Sequence, residues 1–253
     1  MDVDLSHVTK PCACGEDCDS AFPEILIEAG AVEKLVDYLE DYQMPVFICD
    51  SNTRAAAEPY LEEEFKDYPV IELDPENLIA DKKTLQKVLR QVEYCEEGGG
   101  AVCVDMLVAI GAGTIHDFTR YCAKEYGVEY ISIPTSASCT GFSSSVAAVV
   151  KDGEKIFVPA NEPKVILADT EIFANAPRAL TEAGIATLRE RYDEFDDWEE
   201  EQPEEEEEQT EVLEKALKKA VRDIDDMRDG EEDAMEKLMY ALILSGLMWE
   251  ENE

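Results

Sequence analysis

Histidine is the scarcest reactive side chain in this 253-residue sequence. There are two, His7 and His116. One lies near the N-terminus and the other in a glycine-rich segment, so the C-terminal half offers no imidazole for acid–base work or metal binding. Positive charge is also scarce. Against 60 Asp and Glu stand 22 Lys and Arg, a net charge of −38. Such a surface repels phosphate backbones and anionic lipid, which argues against nucleic-acid and membrane partners. It repels anionic ligands at long range too, so a phosphate site must rely on local donors such as the N–H groups at a helix start. No apolar run reaches the ~18 residues of a membrane span. The N-terminus MDVDLSHVTK lacks the basic-then-apolar order of a secretion signal. A cytoplasmic protein is expected, its eight cysteines mostly reduced thiols.

What is present is an alternation of apolar runs and amphipathic stretches. EILIE (24–28) reads as a strand, followed by a helix with Val32, Leu35, Val36 and Leu39 on one face. PVFICD (45–50) is a second strand. Asn52 and Thr53 are expected to cap a helix running to about Phe65. PVIEL (69–73), AVCVDMLVAIG (101–111), YISIPT (130–135) and VILAD (165–169) complete the strands, with a helix within 78–94 and another over GTIHDFTRYCAKEYG. Continuously apolar strands alternating with helices predict a parallel sheet covered on both faces. VAAVVKDGEKIFV (146–158) differs: two strand-like runs flank Asp152-Gly153, a hairpin signal.

Helical patterns follow at 179–193, 212–228 and 232–249, with the acidic tract EEEQPEEEEEQ (199–209) between the first two. Blocks of like charge are usually solvated or disordered. The predicted organisation is therefore a Cys-containing leader (1–22), a Rossmann-like nucleotide-binding α/β domain (23–175) and a partial, all-helical domain (176–253).

The segment Ala109-Ile110-Gly111-Ala112-Gly113-Thr114-Ile115-His116-Asp117 carries the chemistry. A buried strand ends, a tight turn follows and a helix begins. Gly111 and Gly113 permit close backbone approach, and Thr114 has the character of a cap and phosphate donor. The N–H groups of Gly113 and Thr114 sit at the positive end of the helix dipole. A Gly-x-Gly-Thr turn alone is a weak signal, equally at home in a plain strand-to-helix turn. His116 stands where the usual dinucleotide fingerprint has its third glycine.

The stretch from AIGAGTIHDFTRYC through IPTSASCTGFSSS to ADTEIFANAPRALTEAG resembles the sn-glycerol-1-phosphate dehydrogenases, chiefly the bacterial type, of the iron-containing alcohol dehydrogenase and dehydroquinate synthase-like superfamily. The resemblance covers roughly residues 1–195 and returns weakly in LMYALILSGL (238–247). It implies reduction of dihydroxyacetone phosphate with NAD or NADP. Gly113, Thr114, Ile115, His116 and Asp117 would hold the pyrophosphate. Thr135, Ser136, Ala137, Ser138 and Ser144 would line the nicotinamide end, and Asp50 and Asn52 would lie near the adenosine ribose.

Departures from the family pattern fall on its chemistry. Thr140 stands where the family has an Asp that contacts substrate hydroxyls. The family uses a divalent metal such as zinc or nickel, held by one Asp and two His, to polarise the substrate oxygen. Alignment puts Thr187 at the Asp position, and the two histidines would lie beyond ILSGL in a chain that stops at Glu253. A neutral hydroxyl is a poor replacement for a carboxylate. The expectation is a retained nucleotide loop without the family metal, hence an impaired or inactive enzyme with no catalytic residue assigned. The alternative is a non-catalytic nucleotide-binding or interaction protein on the same scaffold. A homo-oligomer is compatible with either.

Other features have plainer readings. Cys12, Cys14, Cys18 and His7 have the residue types of a metal site, but a reduced leader is the simpler account. Cys49, Cys103 and Cys122 fall in apolar patterns and read as core. Cys139 is either a reactive thiol or a passive loop residue. His116 reads as a partly exposed first-turn residue. Ser143-Ser144-Ser145 lacks a histidine to activate it other than His116, and Asp193, Glu194, Asp196 and Asp197 read as a solvated helix face.

Overall fold

The computed structural model describes residues 23–76, 78–98, 103–199 and 207–248. The leader cysteines, His7 and residues 200–206 of the acidic tract lie outside the described residues. Eight strands are described: β1 (Glu24–Glu28), β2 (Pro45–Asp50), β3 (Val70–Leu73), β4 (Met106–Gly111), β5 (Glu129–Pro134), β6 (Val146–Lys151), β7 (Glu154–Pro159) and β8 (Val165–Asp169). Six form one all-parallel sheet in the order β1-β8-β5-β4-β2-β3.

Every residue of β2, β4 and β8 is buried. That is why these strands read as unbroken apolar runs: helices cover both faces. On one face α2 (Ser51–Ala57) and the short α3 (Glu64–Asp67) bring Ala57 and Phe65 onto Phe47, Val108 and Ile131. On the other, α4 (Lys82–Gly98) and α5 (Gly113–Tyr126) bring Val88, Val92, Phe118 and Cys122 onto Ile48, Leu107 and Ala109. β6 and β7 form a separate antiparallel hairpin. Its turn holds Asp152 at φ 54° and Gly153 at φ 87°. Two successive positive φ values are the geometry of a two-residue hairpin turn, and Asp-Gly is suited to it.

The remaining helices are α1 (Leu35–Leu39), α6 (Thr170–Ala174), α7 (Arg178–Glu199), α8 (Glu207–Arg222), α9 (Ile224–Asp229) and α10 (Glu232–Met248). Helices α7 to α10 share one apolar cluster with Ile25, Ile27, Ile166 and Ala168 of the sheet and with Ala137 and Phe142 of the loop after β5. The helical stretch is thus packed directly against the α/β part.

Several local expectations need correction. The cap of α2 is Asp50, not Asn52 or Thr53: its Oδ1 accepts the N–H groups of Asn52 and Thr53 at 2.8 and 2.9 Å, and Thr53 Oγ1 accepts the Asp50 N–H. A cap of this kind contributes about 1 kcal/mol. The helix ends at Ala57 rather than near Phe65. The fourth apolar run enters the sheet only at Met106, because Asp105 is taken by the N–H groups of Gln43 and Met44. Cys103 is exposed rather than core, while Cys49 and Cys122 are buried. The helix expected over 212–228 is two helices, broken at Asp223.

Candidate nucleotide-binding cleft

Parallel order brings the carboxyl ends of β2, β4 and β5 to one edge of the sheet. In the sheet order β2 leads on to β3 on one side and β4 to β5 on the other, so the direction of winding reverses between β2 and β4. A cleft of about 600 Å³ sits beside the start of α5. Gly113, Thr114 and Asp117 of α5 line it, with Cys139, Thr140, Gly141 and Ser144 of the loop after β5. Val146, Ala148, Lys155 and Phe157 of the hairpin form another wall, and Arg191 of α7 and Gly246 of α10 close it.

The floor is shaped by missing side chains. A Cβ on Gly111 would lie 2.6 Å from Ile115 Cβ, so the strand can turn into α5 only without one. A Cβ on Gly113 would lie 3.2 Å from Cys139 Sγ. The cap of α5 is Ala112, which has no side-chain acceptor; its carbonyl takes the N–H groups of Ile115 and His116. Thr114 is therefore a first-turn residue and not the cap. Gly113 and Thr114 bring the positive end of a 14-residue helix to the cleft wall.

Of the residues singled out from the sequence, Gly113, Thr114, Asp117, Thr140 and Ser144 line this cleft. Asp117 Oδ1 accepts the Ala148 N–H at 3.1 Å and lies 3.9 Å from Arg120 Nε. Burial pushes the Asp117 carboxyl up, against the pull of Arg120. Its described contacts tie the hairpin to α5. Ser144 Oγ lies 3.1 Å from both the N–H and the carbonyl of Val146 and shapes the turn into β6. Gly111, Ile115, Thr135, Ser136 and Ala137 are buried beneath this surface, where the Thr135 N–H bonds Gly111 O at 3.0 Å. Ser136 and Ser138 pair through their hydroxyls at 3.0 Å. Asp50 and Asn52 lie at the same sheet edge, at the end of the adjacent strand, outside the cleft lining.

His116 is not partly exposed. It is 0% exposed, with Nδ1 3.0 Å from Ala112 O and its ring edge-on to Phe142 at 4.9 Å. Desolvation, aided by the charge of Arg120, pushes its pKa down to about 3, so the ring is neutral and Nδ1–H donates. Cys139 lines the cleft, but burial pushes its thiol up, which disfavours the reactive thiolate. Asp193, Glu194 and Asp196 are solvent-exposed, with Glu194 paired to Arg191 at 2.7 Å.

Arg120 was not singled out from the sequence. It is the largest fully buried side chain among the described residues, and it borders the cleft. In the sequence it shows only as a residue of α5 four positions after His116, off the Phe118 and Cys122 stripe.

Thr187 sits on α7 and donates its hydroxyl to Ala183 O at 3.1 Å. His116, the one described histidine, has Nδ1 on Ala112 O and is fully buried, its Nε2 without a hydrogen-bond partner. Among the described residues no three His, Cys, Asp or Glu side chains converge on a point that could hold a metal ion.

The family model of the iron-containing alcohol dehydrogenases matches residues 26–177. The chain belongs to the iron-containing alcohol dehydrogenase family. Within it, a glycerol-1-phosphate dehydrogenase (NAD(P)+) of Bacillus velezensis is 34% identical over 238 residues, covering 89% of this chain and 58% of its own length. The corresponding protein of Geobacillus thermodenitrificans is 28% identical over 256 residues, covering 96% of this chain and 61% of its own. The chain thus spans about three fifths of these curated relatives. Among solved structures, glycerol dehydrogenase from Schizosaccharomyces pombe aligns with TM-score 0.69 at 19% identity over 92% of this chain and 62% of that one. A probable glycerol dehydrogenase from Sinorhizobium meliloti 1021 gives 0.71 at 20%, over 91% and 66%. At that identity these two show the shared fold. Among the described residues no helix is long and apolar enough to cross a membrane.

Proposed function

We propose that the cleft beside α5 binds a nicotinamide nucleotide, NAD or NADP, as a protein of the glycerol-1-phosphate dehydrogenase type. The observation that carries this reading is the start of α5. A helix N-terminus lacking a side-chain cap, with a residue that has no Cβ, meets the cleft at the carboxyl edge of a parallel sheet. In a chain of charge −38, such fixed backbone dipoles suit a pyrophosphate better than the distant surface field does. The apolar side chains of Val146 and Ala148 and the loop at Thr140–Ser144 would then enclose the nicotinamide end.

The chain's own residues bind and orient in this reading; they do not complete the reaction. Reduction of dihydroxyacetone phosphate needs an acid that stabilises the developing alkoxide, and the family supplies a metal for that. Thr187 and the described carboxylates do not assemble such a centre, and Thr140 gives a neutral contact to substrate hydroxyls. The protein is read as a nucleotide binder whose hydride transfer is impaired.

Two measurements test this. Titration of the chain with NADH, followed by nucleotide fluorescence, should show saturable binding. Gly113→Val should weaken it by about tenfold or more, since each lost charge-assisted N–H contact is worth ~1.5–3 kcal/mol. Unchanged affinity in that variant removes the loop from the site. An assay with dihydroxyacetone phosphate, NADH or NADPH and added Ni²⁺ or Zn²⁺ should show no metal-dependent turnover; turnover at the rate of a full dehydrogenase overturns the impaired reading.

A further inference from the structure

We propose that Arg120 is the positioning residue of the cleft, holding the 141–146 wall in place through the backbone carbonyls of the segment. The guanidinium is 1% exposed. Its Nε donates to His116 O at 3.2 Å, within α5. Nη1 donates to Ser144 O at 3.0 Å and Val146 O at 3.1 Å, and Nη2 donates to Gly141 O. Three of these four acceptors belong to residues that line the cleft: Gly141, Ser144 and Val146.

The chemistry explains why an arginine is needed. Between the end of β5 and the start of β6 the chain is irregular; Ser145 O takes the Ala160 N–H at 2.7 Å, while the carbonyls of Gly141, Ser144 and the first β6 residue, Val146, take the Arg120 guanidinium. A buried carbonyl without a partner costs ~1–3 kcal/mol. A guanidinium carries five donors in a rigid planar fork and no acceptor, which suits several carbonyls at once. Asp117 completes the arrangement from the same helix by accepting the Ala148 N–H, so α5 grips both the incoming loop and the first strand of the hairpin. On its other side the loop is held independently: Ser143 Oγ donates to Ile243 O at 3.1 Å. Loss of Arg120 therefore releases the cleft side of the loop while the attachment to α10 remains.

The consequence for binding rests on the reading of the cleft as a nucleotide site, so the experiment has two arms. The full chain is compared with Arg120→Ala and Arg120→Lys. The first arm is hydrogen exchange without ligand. Peptides spanning 140–148 should lose protection in Arg120→Ala, while those spanning β4 and β5 keep theirs. The second arm is NADH titration. The dissociation constant should rise about tenfold or more in Arg120→Ala, as expected when a charge-assisted network is lost. Millimolar guanidinium ion should restore part of the affinity to Arg120→Ala. It should do nothing for Arg120→Lys, whose ammonium occupies the space without spanning the carbonyls.

Unchanged exchange over 140–148 overturns the proposal. So does a uniform loss of protection across the sheet that guanidinium does not reverse, since that is a fold defect rather than a released loop. If the unaltered chain binds no NADH, the nucleotide reading fails, and the exchange arm alone decides the role of Arg120.

Discussion

Gly184→Ala is expected to destabilise the protein by about 2 kcal/mol or more, although the same change at an open helical position gains ~1 kcal/mol. Gly184 lies in α7, where an added Cβ would sit 1.8 Å from Ala137 O and 2.9 Å from Ala137 C. Both are backbone atoms and cannot rotate away, so the whole helix must retreat from the loop after β5. Gly246 of α10 makes the same kind of contact, with a Cβ 2.2 Å from Thr140 O and 2.7 Å from Ser143 Oγ. Overpacking commonly costs ~1–3 kcal/mol where side chains can adjust, and more where backbone must move. That exceeds the propensity gain and sets the sign. The two glycines let two helices lie flat on the loop that carries Thr140 and Cys139. Urea unfolding of each variant reads the stability change, and NADH titration under folding conditions should show weaker binding than in the parent chain. A Gly184→Ala variant more stable than the parent would show that α7 does not sit on Ala137 as described.

Those contacts show where sequence reading stops. The hairpin at Asp152-Gly153 is legible because its turn depends on two adjacent residues. The parallel sheet is legible because strands buried on both faces carry unbroken apolar runs. The glycine turn before α5 is legible because a strand, a short turn and a helix follow one another within a few residues. Gly184 carries no such local mark. In TEAGIATL it reads as a weak point in a helix, and its reason is a carbonyl 47 positions earlier in the sequence.

Arg120 and His116 escaped for a related reason. In GTIHDFTRYCAKEYG both are polar residues off the Phe118 and Cys122 stripe of an amphipathic helix, where exposure is the ordinary outcome. Burial comes from the loop after β5, which folds over that part of α5 and brings Phe142 against the His116 ring and carbonyls onto Arg120. A helix covered by the sheet on one side and by a loop on another has a wider buried arc than the periodicity of its apolar residues reveals. The split between α8 and α9 is different again: the pattern there stays amphipathic across Asp223, and the break follows the packing of Ile224 and Met227 into the helical cluster.

The buried histidine should make the protein acid-sensitive in a defined window. In the folded chain the His116 pKa is pushed down to about 3, first by desolvation and then by the charge of Arg120, against the smaller opposing effect of the Ala112 carbonyl. In the unfolded chain it titrates near ~6.5. Between these values the unfolded state takes up a proton that the folded state refuses. The stabilisation due to His116 is thus fully present above pH ~6.5 and is lost as pH falls towards 3, by up to ~1.4 kcal/mol per unit. Other groups act over the same range. The Asp117 and Asp169 carboxyls are pushed up by burial, so they favour the folded state as they protonate. Acidification also relieves the repulsion of a −38 chain. The total curve mixes these effects, and the difference between the parent and His116→Leu isolates one of them. Leucine fills similar space beside Phe142 and never takes up a proton. The difference in unfolding free energy should be level above pH 7 and should shift in favour of the variant by a few kcal/mol on going to pH 4. A level difference across the whole range would mean that the ring is solvated or already paired as a cation, and the sealed packing of the 137–143 loop over α5 would be wrong.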